Sequence, residues 1–509
     1  MAAAGAGCDG TNGSPELDES LDARWSDTAF RKRGMGAVPE RVLGGDARCG
    51  RQAEKIVPVD GDTHIPGETI HALSSGAGVG GVAVVRISGP QVDAVLTSLG
   101  VAPLPAPRYA ALHNILRPNS TDILDQALVL RFPGPESFTG EDVAELHIHG
   151  GEAVLVAVLA ALGETDLTRM AENGEFTRRA FENGKLDLTA AEAIGDLVTA
   201  RTDEQRKLAL RQYDGGLADL YEAWRSELID LLGYAEAGID FSDEELPEAL
   251  QSQVIDRILS IKHRVIDHSH TSLLGEQIRS GFPISILGAP NAGKSSLMNL
   301  LSRRDVAIVS DVAGTTRDVI EVQMNLAGFA VSVLDTAGIR ESDDPVEAEG
   351  VRRAEHQAAR AALKIVVIDA TESVIGDRLR ALIDGHTLVV VNKSDLAPVP
   401  EWVREDPDTG PYWLVSAKTG EGIAELLAGI TEIVQTRLSA HEGPIPTRQR
   451  HRDALQEAIT SLERAEVAKL PELAAEDIRL AARALGRITG RVDIDEILDT
   501  VFRDFCIGK

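Results

Sequence analysis

The stretch ISILGAPNAGKSSLMNLL, residues 284–301, decides the reading of this chain. Ile284 to Leu287 form an apolar run with the composition of a buried strand. A Gly288-x-x-x-x-Gly293-Lys294-Ser295 turn follows, and then an amphipathic helix. Strand, glycine turn and helix in this order are the context a phosphate-binding loop requires. The glycines let backbone N–H groups of Asn291, Ala292 and Gly293 curl around an anion, and the helix that opens at Lys294, Ser295 and Ser296 adds its positive dipole end. Lys294 reaches the β- and γ-phosphates in such a loop, and the Ser295 hydroxyl binds Mg²⁺.

Three further motifs follow in order. LDTAG (334–338) closes a second apolar run. There Asp335 would hold Mg²⁺ through water, with Thr336 and Ala337 beside it and the Gly338 N–H facing the γ-phosphate. VVVNKSDL (389–396) closes a third run with Asn392, Lys393 and Asp395, and LVSAKTG (414–420) a fourth with Ser416, Ala417 and Lys418. The Asp395 carboxylate only accepts hydrogen bonds. Guanine offers two donors on its N1–H and N2–H₂ edge, whereas adenine presents an acceptor at N1, and an unmatched buried polar pair is costly. The sequence therefore implies GTP rather than ATP.

Between loop and LDTAG lies SDVAGTTRD, residues 310–318. Ser310, Asp311, Val312, Ala313, Gly314, Thr315 and Thr316 form a switch expected to order around the γ-phosphate, with Thr316 the second Mg²⁺ hydroxyl. Ras-like enzymes place a glutamine directly after DTAG to orient water. Here that position is Ile339, which cannot. Glu341, Asp343, Asp344, Glu347 and Glu349 are the acidic candidates for that task, and the residues alone do not choose among them.

Working outward, the chain of 509 residues has room for about three domains. Residues 1–65 have little periodicity and are expected to be a disordered extension. They have no apolar segment for a secretory signal, and acidic residues speak against a transit peptide. Residues 66–183 alternate β-branched runs with the helical GEAVLVAVLAALG and predict an α+β domain. Residues 184–278 and 438–509 are helical, and 279–437 alternates strands and helices. This order predicts an α/β domain inserted into one helical domain, so the fold class is multidomain α/β plus all-α. No apolar run reaches the length of a membrane span, and three cysteines in such a chain suggest a reducing cytoplasm. A balance of 51 basic and 80 acidic residues, net −29, argues against a broad nucleic-acid face. RQRHR at 448–452 is one of two short basic clusters.

Asn291 in the loop, AGTTRD in the switch and FCIGK at 505–509 (Phe505 to Lys509) together resemble the MnmE/TrmE family of tRNA-modification GTPases. GEDVAELHIHGG, GEFTRRAFENGKLDLTAAEAI and DFSDEE extend the resemblance over about 66–509. It implies a homodimer working with an FAD- and NADH-using partner of the MnmG/GidA type, in a heterotetramer or larger complex. Together they would install a carboxymethylaminomethyl-type group at C5 of the wobble uridine of certain tRNAs. A folate, 5-formyl- or 5,10-methylene-tetrahydrofolate, would supply the one-carbon unit. The resemblance also implies K⁺ in place of an arginine finger, coordinated by Asn291, Ser310, Val312 and Thr315, and Glu347 as the catalytic carboxylate that orients water. It makes the first domain a folate-binding and dimerisation fold, with Arg86, Glu145, Lys185 and Lys509 at the folate. Arg and Lys suit the glutamate-tail carboxylates, and a carboxylate suits the pterin donor edge. The family turn PPGRGG reads SSGAGVGG at 74–81 here, without its arginine. The partner would carry much of the tRNA affinity, with the helical domain assisting near Arg448 to Arg452.

In that frame Cys506 becomes a candidate nucleophile or acid/base near the uridine, and thiolate addition to C6 would activate C5. As a prenylation box the tail is poor, because Gly508 and Lys509 occupy its last two places. A ribosome-assembly or other translation GTPase switch is the competing reading. It would share the nucleotide site but bring a basic RNA-binding module, which nothing after Ser416 resembles.

Overall fold

The computed structural model describes residues 67–76, 78–240, 248–302, 321–335, 359–405, 411–439, 443–492, 495–503 and 505–509. The expected extension, 1–65, lies outside them.

The first sheet contains β1 (Thr69–Leu73), β2 (Val82–Ser88), β3 (Ala111–Leu116), β4 (Ile123–Phe132), β5 (Val143–His149) and β6 (Thr168–Met170). Its order is β3-β4-β5-β2-β1-β6. Only the β1–β6 pair is parallel. Alternation along the strands separates two faces. Val85, Ile87, Val129 and Leu146 point into a core shared with the helices Val92–Ser98 and Glu152–Gly163. The register partners Ala72, Arg86, Glu145 and Leu130 share the opposite face with Val84, His147, Leu128 and Leu112. On that face Phe176, from the helix Glu175–Glu182, packs on Ile70 and Ala72.

The helices that flank the α/β segment in sequence make a single core. Leu217, Tyr221 and Leu228 of Gly216–Asp240 and Ile258, Ile261 and Val265 of Glu248–Ser269 come from before it. Leu455 and Leu462 of Gln449–Val467 and Ile478, Leu485 and Ile488 of Pro471–Thr489 come from after it, and all are buried together. Local signals set the helix ends. Pro471 opens its helix with the φ a first turn needs, and Gly490 closes it in the left-handed region at φ 82°.

The second sheet contains β7 (Phe282–Gly288), β8 (Glu321–Leu326), β9 (Phe329–Asp335), β10 (Leu363–Asp369), β11 (Thr387–Asn392) and β12 (Tyr412–Leu414), in the order β12-β11-β10-β7-β9-β8. All neighbours are parallel except β8 with β9. LKIVVID and TLVVVN are nearly all buried, as strands covered on both faces must be. The carboxyl ends of β7, β9, β10 and β11 bring Gly288, Asp335, Asp369 and Asn392 to one edge, where doubly wound sheets bind ligands.

This sheet rests on the helical domain through the Gly328 turn and the segment before β7. Glu204 N donates to Gly328 O at 3.1 Å, and Gln205 Nε2 to Arg279 O at 2.8 Å. Gly275 has no room for a side chain, because a Cβ there would lie 2.0 Å from Pro446 O.

Candidate functional site

The phosphate loop begins where β7 ends. Asn291 lies in the left-handed region at φ 64° and Gly293 at φ 95°. A Cβ on Gly293 would lie 2.1 Å from Asn392 Nδ2, so only glycine lets the loop pack against β11. Lys294, 7% exposed, donates from Nζ to the carbonyls of Gly288 (3.0 Å) and Ala289 (2.9 Å). Its ammonium thus lies along the loop that would surround a phosphate. Ser295 and Ser296 follow in the first turn of Lys294–Ser302 and are exposed.

Asn392 ties three motifs together. Its Nδ2 donates to Ala292 O at 2.7 Å, and its Oδ1 accepts from Ala417 N at 2.9 Å. Ser416 Oγ donates to Asp395 Oδ1 at 2.8 Å, leaving the other carboxylate oxygen directed toward Lys418, whose Nζ is 4.0 Å away. The loop after β7 and the segments 392–395 and 416–418 are therefore one hydrogen-bonded unit. Asp335 is in register with Ile286 at the end of β9, beside the loop. Ser310, Asp311, Val312, Ala313, Gly314, Thr315, Thr316, Thr336, Ala337, Gly338 and Glu347 lie outside the described residues, as does the Asp335 side chain. Among the described residues, no group of three or more His, Cys, Asp or Glu side chains could hold a metal ion.

A second cluster forms on the first sheet. Arg86 Nη2 is 3.0 Å from Glu145 Oε1, both about four-fifths buried. His147 Nε2 is 3.3 Å from the other Glu145 oxygen. The Arg86 guanidinium also lies 5.2 Å from the Phe138 ring centroid and 5.7 Å from that of Phe176. Arg86 and Glu145 are thus paired with each other. Lys185 is exposed and donates to Pro135 O at 2.8 Å.

The FCIGK segment reaches the same sheet. Ile507 makes an antiparallel bridge with Asn173, and Gly174 N donates to Cys506 O at 3.4 Å. Gly508, at φ 96°, fits so closely that a Cβ would be 1.9 Å from Leu73 O. Leu73 directly follows Ala72, the register partner of Arg86, so the segment docks at the end of β1, the strand next to the one that carries Arg86. Cys506 is exposed, and Lys509 is partly buried.

The basic cluster at 448–452 is turned inward, which corrects the expectation that it offers charge to RNA. Arg450 Nε and Nη2 hold both oxygens of buried Glu192, at 2.5 and 2.8 Å. Arg448 Nη2 donates to Asp196 at 2.8 Å, and Arg452 pairs with Glu276. His451 Nε2 lies 3.1 Å from Glu192, while its Nδ1 is placed to accept from Thr447 N at 3.4 Å. Burial, helped by the Arg450 charge, pushes His451 down to about 4, so at neutral pH it donates as a neutral ring. Acidic residues 176 to 258 positions upstream take up these charges.

Sequence reasoning passed over Phe138, Phe176, His147 and Asn173. No local motif marks them, because strand register and a helix from elsewhere bring them to Arg86 and the tail. It also passed over Asp369, which closes the buried run LKIVVID as Asp335 closes β9. That parallel was the available signal.

Comparison with known proteins accords with this geometry. A family model for the GTP-binding protein TrmE N-terminus matches residues 69–185, and one for the MnmE helical domain matches 188–506, across the intervening α/β segment. The chain is 52% identical over 446 residues to a tRNA modification GTPase MnmE of Paramagnetospirillum magneticum, covering 87% of this chain and 100% of that one. It is 50% identical to that of Parvibaculum lavamentivorans, over 87% and 100% of the two chains. It is 49% identical to that of Rhodospirillum rubrum, over 87% and 99%. With relatives this similar along nearly their whole length, the chain belongs to the MnmE family of tRNA modification GTPases.

Proposed function

We propose that this chain hydrolyses GTP in a potassium-dependent cycle and, with an FAD-dependent partner, takes part in adding a carboxymethylaminomethyl-type group at C5 of the wobble uridine of certain tRNAs. The observation that carries the reading is the Asn392 clamp, which joins phosphate loop and base-reading segments into one nucleotide site. Family membership supplies the tRNA context. The acceptor-only Asp395 carboxylate, held by Ser416, selects guanine, and Lys294 turns from the loop carbonyls to the β- and γ-phosphates.

The residues at hand suit the expected cations. Ser295 stands in the first helical turn beside the end of β9, where Asp335 lies, an all-oxygen set of the kind Mg²⁺ takes. Asn291 stands exposed at the rim of the loop, as a K⁺ ligand shared with the switch residues Ser310, Val312 and Thr315 would. When bound, these ions neutralise the charge that develops on the phosphates. Thr316 completes the Mg²⁺ ligands, and Glu347 aligns the attacking water.

On the first sheet, the Arg86–Glu145 pair between two aromatic rings is the candidate folate site, with Lys185 and Lys509 at its margins. Cys506 acts there by adding its sulfur to C6 of the uracil. The resulting enolate makes C5 the nucleophile that would bond to the one-carbon unit a bound folate would supply; loss of the C5 proton with expulsion of the thiolate then restores the C5–C6 double bond. A second copy covers the exposed face around Leu112 and Leu128, which makes the protein a homodimer. Among the described residues no helix is long and apolar enough to cross a membrane. The proposed location is the cytoplasm.

Nucleoside analysis of tRNA from cells lacking the protein tests the reading. Loss of the wobble C5 group is expected, and an unchanged level would sink it. GTP turnover should be faster in K⁺ than in Na⁺; equal rates would remove the cation part. Cys506→Ser should keep GTP turnover and lose modification.

A further inference from the structure

One buried carboxylate at the nucleotide edge belongs to none of the four sequence motifs. Asp369 closes β10 and is 6% exposed. Its Oδ1 accepts from Thr371 N at 2.9 Å and Thr371 Oγ1 at 2.7 Å. Its Oδ2 lies 2.5 Å from Lys393 Nζ. Both oxygens are thereby committed, one to fixing the carboxylate and the other to the lysine. Burial alone would raise its pKa, but the Lys393 and Thr371 hydrogen bonds outweigh that and hold the group ionised.

Lys393 stands between Asn392 and Asp395. Its backbone is held left-handed at φ 66°, unusual for a residue with a side chain. Neighbouring bonds enforce this: Leu396 N donates to Lys393 O at 2.8 Å, and Ser394 N to Val415 O at 3.1 Å. A lysine at a loop tip ordinarily runs out into water and keeps its rotamer freedom. Here the ammonium returns to β10, leaving 30% of the side chain exposed, so the methylenes lie across the ends of β10 and β11. Lys418, on the other base-reading segment, is 81% exposed.

We propose that Asp369 is a positioning residue for the nucleotide base: by tethering the Lys393 ammonium it makes the lysine stem a fixed apolar wall of the base slot. The proposal rests on the guanine-nucleotide reading above. A preformed wall spares the ordering of a long side chain when nucleotide binds, and it contacts the ring plane rather than the edge that Asp395 reads. Its contribution is therefore independent of the exocyclic amine and of the phosphates.

Titration of the full-length protein with GDP, inosine diphosphate and inorganic pyrophosphate, in Mg²⁺, separates these terms. Asp369→Asn should weaken GDP and inosine diphosphate by the same factor, about tenfold, and leave pyrophosphate unchanged. Lys393→Met, which keeps the stem and loses the ammonium, should do the same. The double variant should be no weaker than either single one, because both break one tether. Should Asp369→Asn not fold, Lys393→Met carries the test alone. GDP binding as tight as wild type in either variant overturns the proposal. So does an equal loss for pyrophosphate, which marks general damage, or a hundredfold loss in the double variant. A wild-type protein that bound no GDP would instead overturn the guanine-nucleotide reading, and this proposal with it.

Discussion

Glu192 shows how much one buried carboxylate can organise. Burial disfavours its charge, but Arg450 and His451 outweigh that and hold its pKa far below the ordinary value. A group with a depressed folded pKa stabilises above its unfolded value, 4.5, and loses that contribution as pH falls through the folded one. Glu192→Gln leaves the Arg450 guanidinium buried without a counter-charge. We expect the loss of about 3 kcal/mol of stability at pH 7, read from urea unfolding. His451 acts in a higher window. Its ring is pushed down to about 4 from 6.5, so the unfolded chain takes up the proton first. Stability should therefore fall between pH 6.5 and 4, and His451→Asn should flatten that part of the profile.

At the scale of elements, the docked tail makes the sharpest prediction. Gly508→Ala places a methyl group 1.9 Å from Leu73 O, in a backbone conformation that alanine rarely adopts. The segment should leave the sheet. Amide exchange at Ile507 should rise and tRNA modification should fall, while GTP turnover stays at the wild-type rate. Such contacts divide what the sequence discloses from what it hides. The phosphate loop is legible because strand, glycine turn and helix are consecutive, and so are Asn392, Lys393 and Asp395. The Arg86–Glu145 pair needs the register of β2 against β5, and the partners of Arg448 and Arg450 need a fold that brings helix 188–199 to helix 449–467. Read locally, RQRHR is a basic patch; in the folded protein it is the inner half of a charge network.

For the molecule as a whole, the first sheet leaves an apolar patch open on the face that also carries Arg86, Glu145 and His147. Leu112 is 59% exposed and Leu128 43%, and they are cross-strand register partners. Charge at both, as Leu112→Glu with Leu128→Glu, should convert a dimer into a monomer by light scattering. A wild-type monomer at micromolar concentration would end the dimer proposal. The helical domain was foreshadowed by the return of helical periodicity after residue 438, but its single core could not be read from either half. The fit of Gly508 against Leu73 carries a consequence for biosynthesis. The two positions are more than four hundred residues apart. While the chain emerges from the ribosome, its first sheet and then its nucleotide site can form in turn. The FCIGK segment joins them only after every intervening residue has been made, so the Leu73 edge of the first sheet stays uncovered through nearly the whole of synthesis.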